Sequence, residues 1–77
     1  MNPFNRTVLR ILSQSDEAMG WYQIERRLSN MSFDERRYLP DVLSELRARG
    51  WISERTAVDE PKIRYFITES GREALDS

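Results

Sequence analysis

The sequence contains no cysteine and no histidine. Without cysteine the chain forms no disulfide and offers no thiolate to a metal ion. Without histidine it lacks the imidazole that completes zinc fingers, binds haem iron and acts as the base in serine and cysteine hydrolases. These absences exclude those metal sites and those forms of nucleophilic catalysis, and we expect no cofactor.

Long apolar runs are also missing. No stretch approaches the roughly 18–20 apolar residues of a membrane-spanning helix. Residues 1–20 carry polar side chains every few positions, so they lack the apolar core of a secretory signal peptide. We therefore expect a cytoplasmic protein that does not contact a membrane.

Features of a catalytic site are equally scarce. The three glycines are isolated, so no glycine-rich loop is available to hold a phosphate. Adjacent carboxylates occur at residues 34–35 and 59–60, but neighbours in sequence rarely converge on one substrate atom. We expect these carboxylates to be solvated and the protein not to be an enzyme.

What the sequence does contain is enough for one domain. Its 77 residues are 39% hydrophobic and include two Trp, three Tyr and three Phe, which supports one thin core over residues 1–77. The formal net charge of −1 and a pI near 5.4 are unusual for a nonspecific nucleic-acid binder. Every basic residue except Lys62 is arginine, whose planar guanidinium suits phosphate, guanine and surface ion pairs alike.

The hydrophobic spacing predicts two helices in the first thirty residues. The first covers residues 5–14, with Asn5 or Thr7 as its cap. A polar turn follows, and residues 20–22 are expected to be extended. The second helix is short and covers residues 22–28.

A third helix ends near Arg49, before Gly50. Its apolar stripe consists of Leu39, Val42, Leu43 and Leu46. Because proline is tolerated only in a first turn, Pro40 leaves two alternatives. The helix begins near Leu39, or a first turn at residues 34–38 is kinked away from it.

After Gly50 the apolar period changes to two, which indicates strands at residues 51–55 and 62–67 with a turn between them. Thr68 caps a last short helix over residues 69–74, and Leu75 attaches it to the core. This order predicts a mainly helical α+β fold of the winged-helix type, with a three-helix bundle, a β-hairpin wing and a short C-terminal helix. In that fold the second helix of the turn motif enters the major groove of DNA.

Three stretches resemble PadR-like transcriptional regulators: GWYQIERRL at 20–28, YLPDVLSELRARGWI at 38–52 and RYFITESGREAL at 64–75. The last of them also resembles the end of MarR-like proteins. The resemblance implies a winged helix-turn-helix regulator that binds double-stranded DNA as a dimer. The chain departs from the PadR-like pattern because it lacks the long C-terminal dimerisation helix and because its wing tip, at 59–61, is acidic.

On this hypothesis the helix around 34–49 contacts the major groove, and the wing at 52–67 contacts the DNA backbone. The candidate DNA-binding residues are Arg26, Arg27, Arg36, Arg37, Tyr38, Asp41, Ser44, Arg55, Lys62 and Arg64. Each group has an alternative: ion pairs of Arg36 and Arg37 with residues 34–35, an ordinary polar face for the second helix, and cross-strand ion pairs in the wing.

The rival function is a winged-helix module that binds another protein and has no useful affinity for DNA. The acidic pI and wing tip favour it. Trp21 and Trp51 are expected in or at the edge of the core, and an exposed one would indicate a protein interface. Phe4 and Leu9 on the first helix are a candidate dimer surface.

Overall fold

The computed structural model describes residues 1–33, 35–57 and 59–76, with the backbone alone at 57, 60 and 61. Within these residues the chain forms four helices and one three-stranded antiparallel sheet. In chain order the elements are α1 (Pro3–Ser13), β1 (Met19–Gly20), α2 (Trp21–Ser29), α3 (Leu39–Ala48), β2 (Ile52–Ala57), β3 (Glu60–Ile67) and α4 (Glu69–Asp76). The mainly helical α+β class predicted from the sequence is confirmed. In the described residues no helix is long and apolar enough to cross a membrane.

Helix α1 begins at Pro3 because the side chain of Asn2 caps it. The Asn2 Oδ1 accepts the backbone N–H of Phe4 at 2.8 Å. A proline in the first turn suits a helix start, since its missing N–H would have no partner there. The predicted caps, Asn5 and Thr7, were wrong, because both residues lie inside the helix.

The core forms around α1. This helix packs against α2, β3 and α4, so its apolar arc is covered on several sides. Phe4 is 2% exposed and Leu9 is fully buried. The predicted dimer surface at Phe4 and Leu9 was therefore wrong, because both side chains are used in the core of a single chain.

Strand β1 and helix α2 meet at Gly20. Met19 and Gly20 pair with Tyr65 and Arg64 of β3, and α2 follows without a break. The Gln23 side chain accepts the Gly20 N–H at 3.0 Å, which closes the first helical turn. Gly20 is in a strand, as predicted. Trp21 and Tyr22 are helical, so the extended segment ends at Gly20 and the helix predicted from residue 22 begins one residue earlier.

Helix α3 begins at Leu39 with Pro40 in its first turn, as one of the two alternatives predicted. The other alternative includes Asp34, which lies outside the described residues. The predicted stripe of α3 is buried throughout, at Leu39, Val42, Leu43 and Leu46. At the end of α3 the backbone of Gly50 has a φ of 77°, and the Trp51 N–H donates to the Leu46 carbonyl at 3.0 Å.

The hairpin of β2 and β3 extends further than the sequence predicted. Residues 56–57 belong to β2 and residues 60–61 to β3, and a register irregularity lies between Thr56 and Ala57. Strand β3 is the central strand, with β1 on one side and β2 on the other. The register pairs Ile52 with Ile67, and both side chains are buried in the core.

Helix α4 is held by the backbone that follows α3. The Thr68 Oγ1 donates to the Gly50 carbonyl at 2.6 Å and accepts the Gly71 N–H at 3.1 Å, so the predicted cap is confirmed. The Arg6 guanidinium donates to the Leu75 carbonyl at 2.6 Å and ties α4 to α1. Leu75 is partly buried against the core, as predicted.

Candidate functional site

The two faces of the hairpin carry different chemistry. Arg55 of β2 lies directly opposite Arg64 of β3. Lys62 precedes Arg64 by two residues on the same strand, so the three cations share one face, which we call the cationic face. Glu54 lies opposite Tyr65, one residue along each strand, and therefore on the other face.

The cationic face borders a groove of about 590 Å³. The opposite wall of this groove is the α1–β1 connection, including Asp16 and Glu17, and Arg72 of α4 adds a third guanidinium to the lining. The Arg55 guanidinium lies 5.2 Å from the centre of the Phe66 ring, which fixes its position above the sheet. The sequence did not indicate Arg72, because its position depends on how α4 packs.

Cross-strand ion pairing within the wing was the alternative for these cations. Glu54 pairs instead with Arg47 of α3, at 2.8 Å. This ion pair ties the hairpin to the helix and leaves Glu54 on the far side from the cationic face. Glu54 therefore contradicts the alternative, while the side chain of Glu60 lies outside the described residues.

Arg37 is bound within the protein. Its guanidinium donates to both carboxylate oxygens of Glu45, at 2.5 and 2.8 Å, and to the Asn5 Oδ1 at 3.0 Å. Asn5 also donates to Glu45, at 3.2 Å, which closes the network. The pKa of Glu45 falls to about 2, chiefly because of the hydrogen bond from Arg37 and then the one from Asn5, and the pKa of Arg37 rises for the reciprocal reason.

The predicted ion pair of Arg37 with residues 34–35 can be judged only in part. Its described partner is Glu45, one turn before the end of α3, while Asp34 lies outside the described residues. Arg36 is exposed, with its guanidinium 5.7 Å from the centre of the Phe33 ring.

The exposed surface of α3 supplies little positive charge. Tyr38, at its start, is 70% exposed, and Asp41 and Ser44 also face solvent. Asp41 places a carboxylate in the first turn, where an approaching phosphate would be repelled. Arg47 is paired with Glu54, and Arg49 lies over the Trp51 ring at 5.1 Å.

Arg26 and Arg27 lie in the last turn of α2 and are exposed. They line a shallow groove with Met19, Gln23 and Asn30. In the part of the chain that the structure describes, neither arginine forms an ion pair. They can reach a phosphate without breaking an internal contact.

A second groove, of about 410 Å³, lies on the other side of the hairpin, between β2, β3, α2 and α3. We call it the aromatic groove, and its lining consists of Trp21, Glu25, Tyr38, Pro40, Leu43, Ser44, Glu54 and Tyr65. The pKa of the Tyr65 hydroxyl is raised, first by burial and then by the charge of Glu54. The sequence did not indicate this groove, since its walls come from four separate elements.

Trp21 was expected in the core or at its edge and is 54% exposed. The prediction was wrong because α2 begins at Trp21, so that Ile24 and Leu28 take the core positions and the indole lies beyond the end of the core. Trp51 is half-buried against the core, as predicted.

The candidate residues therefore fall on separate surfaces. Tyr38 and Ser44 line the aromatic groove, while Arg55 and Arg64 line the groove on the opposite face of the hairpin. Comparison with known protein families, with curated proteins and with solved structures finds no match to this chain.

Proposed function

We propose that this chain is a winged helix-turn-helix domain that binds double-stranded DNA. The order of the elements supports this fold, with α2 and α3 as the turn motif and the β2–β3 hairpin as the wing. Helix α2 ends at Ser29 and α3 begins at Leu39, so more residues separate them in sequence than the usual three or four of that motif. Phe33, packed edge-on against Phe4 at 4.9 Å, and the Arg37 network hold this connection on the core.

The observation that carries the proposal is the cationic face. Arg55 and Lys62 are exposed on this face, and Glu54 lies on the opposite face of the hairpin. Phosphate oxygens can accept charge-assisted hydrogen bonds from both of these side chains. Asp16 and Glu17 line the adjoining groove, so the attraction for a polyanion comes from Arg55 and Lys62 rather than from the groove as a whole.

We expect the wing, more than α3, to supply the positive charge that contacts DNA. Arg37 and Arg47 are held by carboxylates, so the exposed surface of α3 offers little positive charge to DNA. Phosphate contacts then come from the hairpin, from the end of α2 and from the exposed Arg36. Because few cations are involved, the affinity is expected to be modest and salt-dependent.

The test is fluorescence anisotropy of a labelled random-sequence duplex, at about 50 mM and then about 200 mM salt. We expect binding that weakens as salt is added. The double variant Arg55→Gln, Lys62→Gln should bind several times more weakly and lower the slope of log affinity against log salt by about 2. Arg10→Gln removes an exposed cation that lines none of the grooves described above, and serves as the control.

Two results would contradict the proposal. One is the absence of binding at low salt by a protein shown to be folded. The other is an equal loss of affinity in the hairpin variant and in Arg10→Gln, because a general charge effect would then explain the binding.

A second candidate function is binding to another protein without useful DNA affinity. It is favoured by the ion pairs that occupy Arg37 and Arg47 and by the exposed aromatic side chains on the α3 side of the hairpin. If the folded protein does not bind the duplex, protein binding replaces DNA binding as the proposed function.

A further inference from the structure

We propose that the aromatic groove binds an arginine-bearing segment of a partner protein. This site is separate from the cationic face, because the two lie on opposite faces of the hairpin. It therefore goes beyond DNA binding by the wing and does not depend on it.

The first support is the exposure of aromatic rings around a buried floor. Trp21 is 54% exposed and Tyr38 is 70% exposed, while Leu43 below them is 4% exposed. Exposed aromatic side chains that cluster at a concave surface are typical of protein-binding sites. The groove is at the small end of the volumes seen for ligand sites, which suits one or two side chains of an extended segment.

The second support is the sign of the charge. Glu25 and Glu54 are the charged residues in the described lining, and no described basic residue is part of it. Glu54 shares its charge with Arg47, whereas Glu25 forms no ion pair among the described residues. The faces of the aromatic rings are also negative, so the groove attracts a cation and repels phosphate.

The third support is the set of arginine–aromatic contacts within the chain itself. Guanidinium groups lie over aromatic rings at Arg36 with Phe33, Arg49 with Trp51 and Arg55 with Phe66. In the described part of the chain no such cation covers the rings of Trp21, Tyr38 or Tyr65. A guanidinium from outside would complete the same contact there.

These features favour arginine over lysine as the recognised side chain. The guanidinium is planar, stacks on aromatic faces and can donate two hydrogen bonds to one carboxylate, such as Glu25. The hydroxyl of Ser44, in the same lining, is a further acceptor. An ammonium group is more strongly hydrated and lacks the stacking surface.

The test uses ¹⁵N-labelled protein and short capped peptides in which arginine alternates with glycine and serine. A matched peptide with citrulline in place of arginine keeps the shape and removes the charge. We expect the arginine peptide to shift the Trp21 indole signal and the amide signals of residues 38–44, while the Trp51 indole signal stays in place. The citrulline peptide should bind about fivefold more weakly or worse.

Substitutions inside and outside the aromatic groove test whether the arginine peptide binds there. Glu25→Gln should weaken binding of the arginine peptide about threefold to fivefold, because a charged acceptor is lost. Glu73→Gln, an exposed carboxylate on α4 outside the groove, should leave the affinity unchanged. Trp21 substituted by alanine should abolish the shifts at residues 38–44, and its folded state is checked from the remaining spectrum.

Other occupants of the groove give different results, and each of them overturns the proposal. A Trp21 signal that moves on simple dilution shows that a second copy of the chain fills the groove. A signal that moves with duplex DNA shows that the groove contacts nucleic acid. Equal shifts with the arginine and citrulline peptides, or none at millimolar peptide, show that the guanidinium is not recognised.

Discussion

The guanidinium of Arg37 holds both carboxylate oxygens of Glu45, a residue eight positions further along the chain, at 2.5 and 2.8 Å. Arg37 lies in the connection between α2 and α3, and Glu45 lies within α3. Asn5 of α1 bonds to both partners. The network therefore positions the connection against two helices, which is a structural role for a residue that the sequence presented as a candidate DNA contact.

The pH dependence of stability follows from this network. The pKa of Glu45 is lowered from its ordinary value of 4.5 to about 2, because Arg37 and Asn5 stabilise the charged form. A lowered folded-state pKa contributes stability that is fully present above 4.5 and is lost as the pH falls toward 2. We expect the free energy of unfolding, measured by urea denaturation, to decrease over this range.

The Glu45→Gln variant provides the comparison for that measurement. It should be less stable than the parent at neutral pH and should lose less stability between pH 4.5 and 2. Glu73→Gln should keep the parent's profile. Identical profiles for the parent and Glu45→Gln would show that the network does not form in solution.

Substitutions of Arg36 and of Arg37 should affect different properties, duplex binding for Arg36 and stability for Arg37. Arg36→Ala removes an exposed guanidinium and should weaken duplex binding by about threefold, with little change in stability. Arg37→Ala should lower stability, because Glu45 and Asn5 lose their partner. Anisotropy and urea denaturation on both variants make the distinction, and a stability loss confined to Arg36→Ala would reverse the assignment.

Leu9 tests the place of α1 in the core. Because its side chain is fully buried, Leu9→Ala should cost about 2–5 kcal/mol of unfolding free energy. Ile63, which is 42% exposed on the hairpin, is the control, and Ile63→Ala should cost far less. A loss below about 0.5 kcal/mol at Leu9 would match a surface position and restore the dimer interpretation.

Gly71 tests the closing helix. A Cβ at this position would lie 2.2 Å from the Trp51 carbonyl oxygen and 2.7 Å from the Ile67 side chain. Gly71→Ala should therefore destabilise the protein by about 1–3 kcal/mol, although alanine is the better helix former. Gly20→Ala, whose Cβ would lie 4.0 Å from the Ile63 carbonyl oxygen, should cost at most about 1 kcal/mol. Urea denaturation of both variants decides this, and equal stabilities would contradict the close approach.

Much of the fold was predictable because local signals and burial agree. The stripe of α3, the glycine after it and the threonine before α4 each have one physical function, and each was found where the sequence placed it. The caps of α1 and the start of α2 were not predictable in this way. Several polar side chains near each helix start could accept an N–H, and the choice depends on how the helix packs.

The candidate site was less predictable than the fold, because it depends on which side chains meet. The sequence showed that Arg55, Lys62 and Arg64 alternate along strands, and the register then placed them on one face. It contained no sign that Glu54 would pair with Arg47, or that Trp21 would line one groove with Tyr38 and Tyr65. Those contacts join elements that are distant in the chain.

The residues from Thr68 to Gly71 serve the attachment of α4 to the rest of the fold. A hydroxyl is needed at 68 to bridge Gly50 and Gly71, and hydrogen alone fits at 71 against the Trp51 carbonyl. Any protein that seats its last helix in this way must meet the same two requirements, whatever it binds. Likeness over this segment therefore measures a shared way of attaching the last helix and carries no information about a ligand.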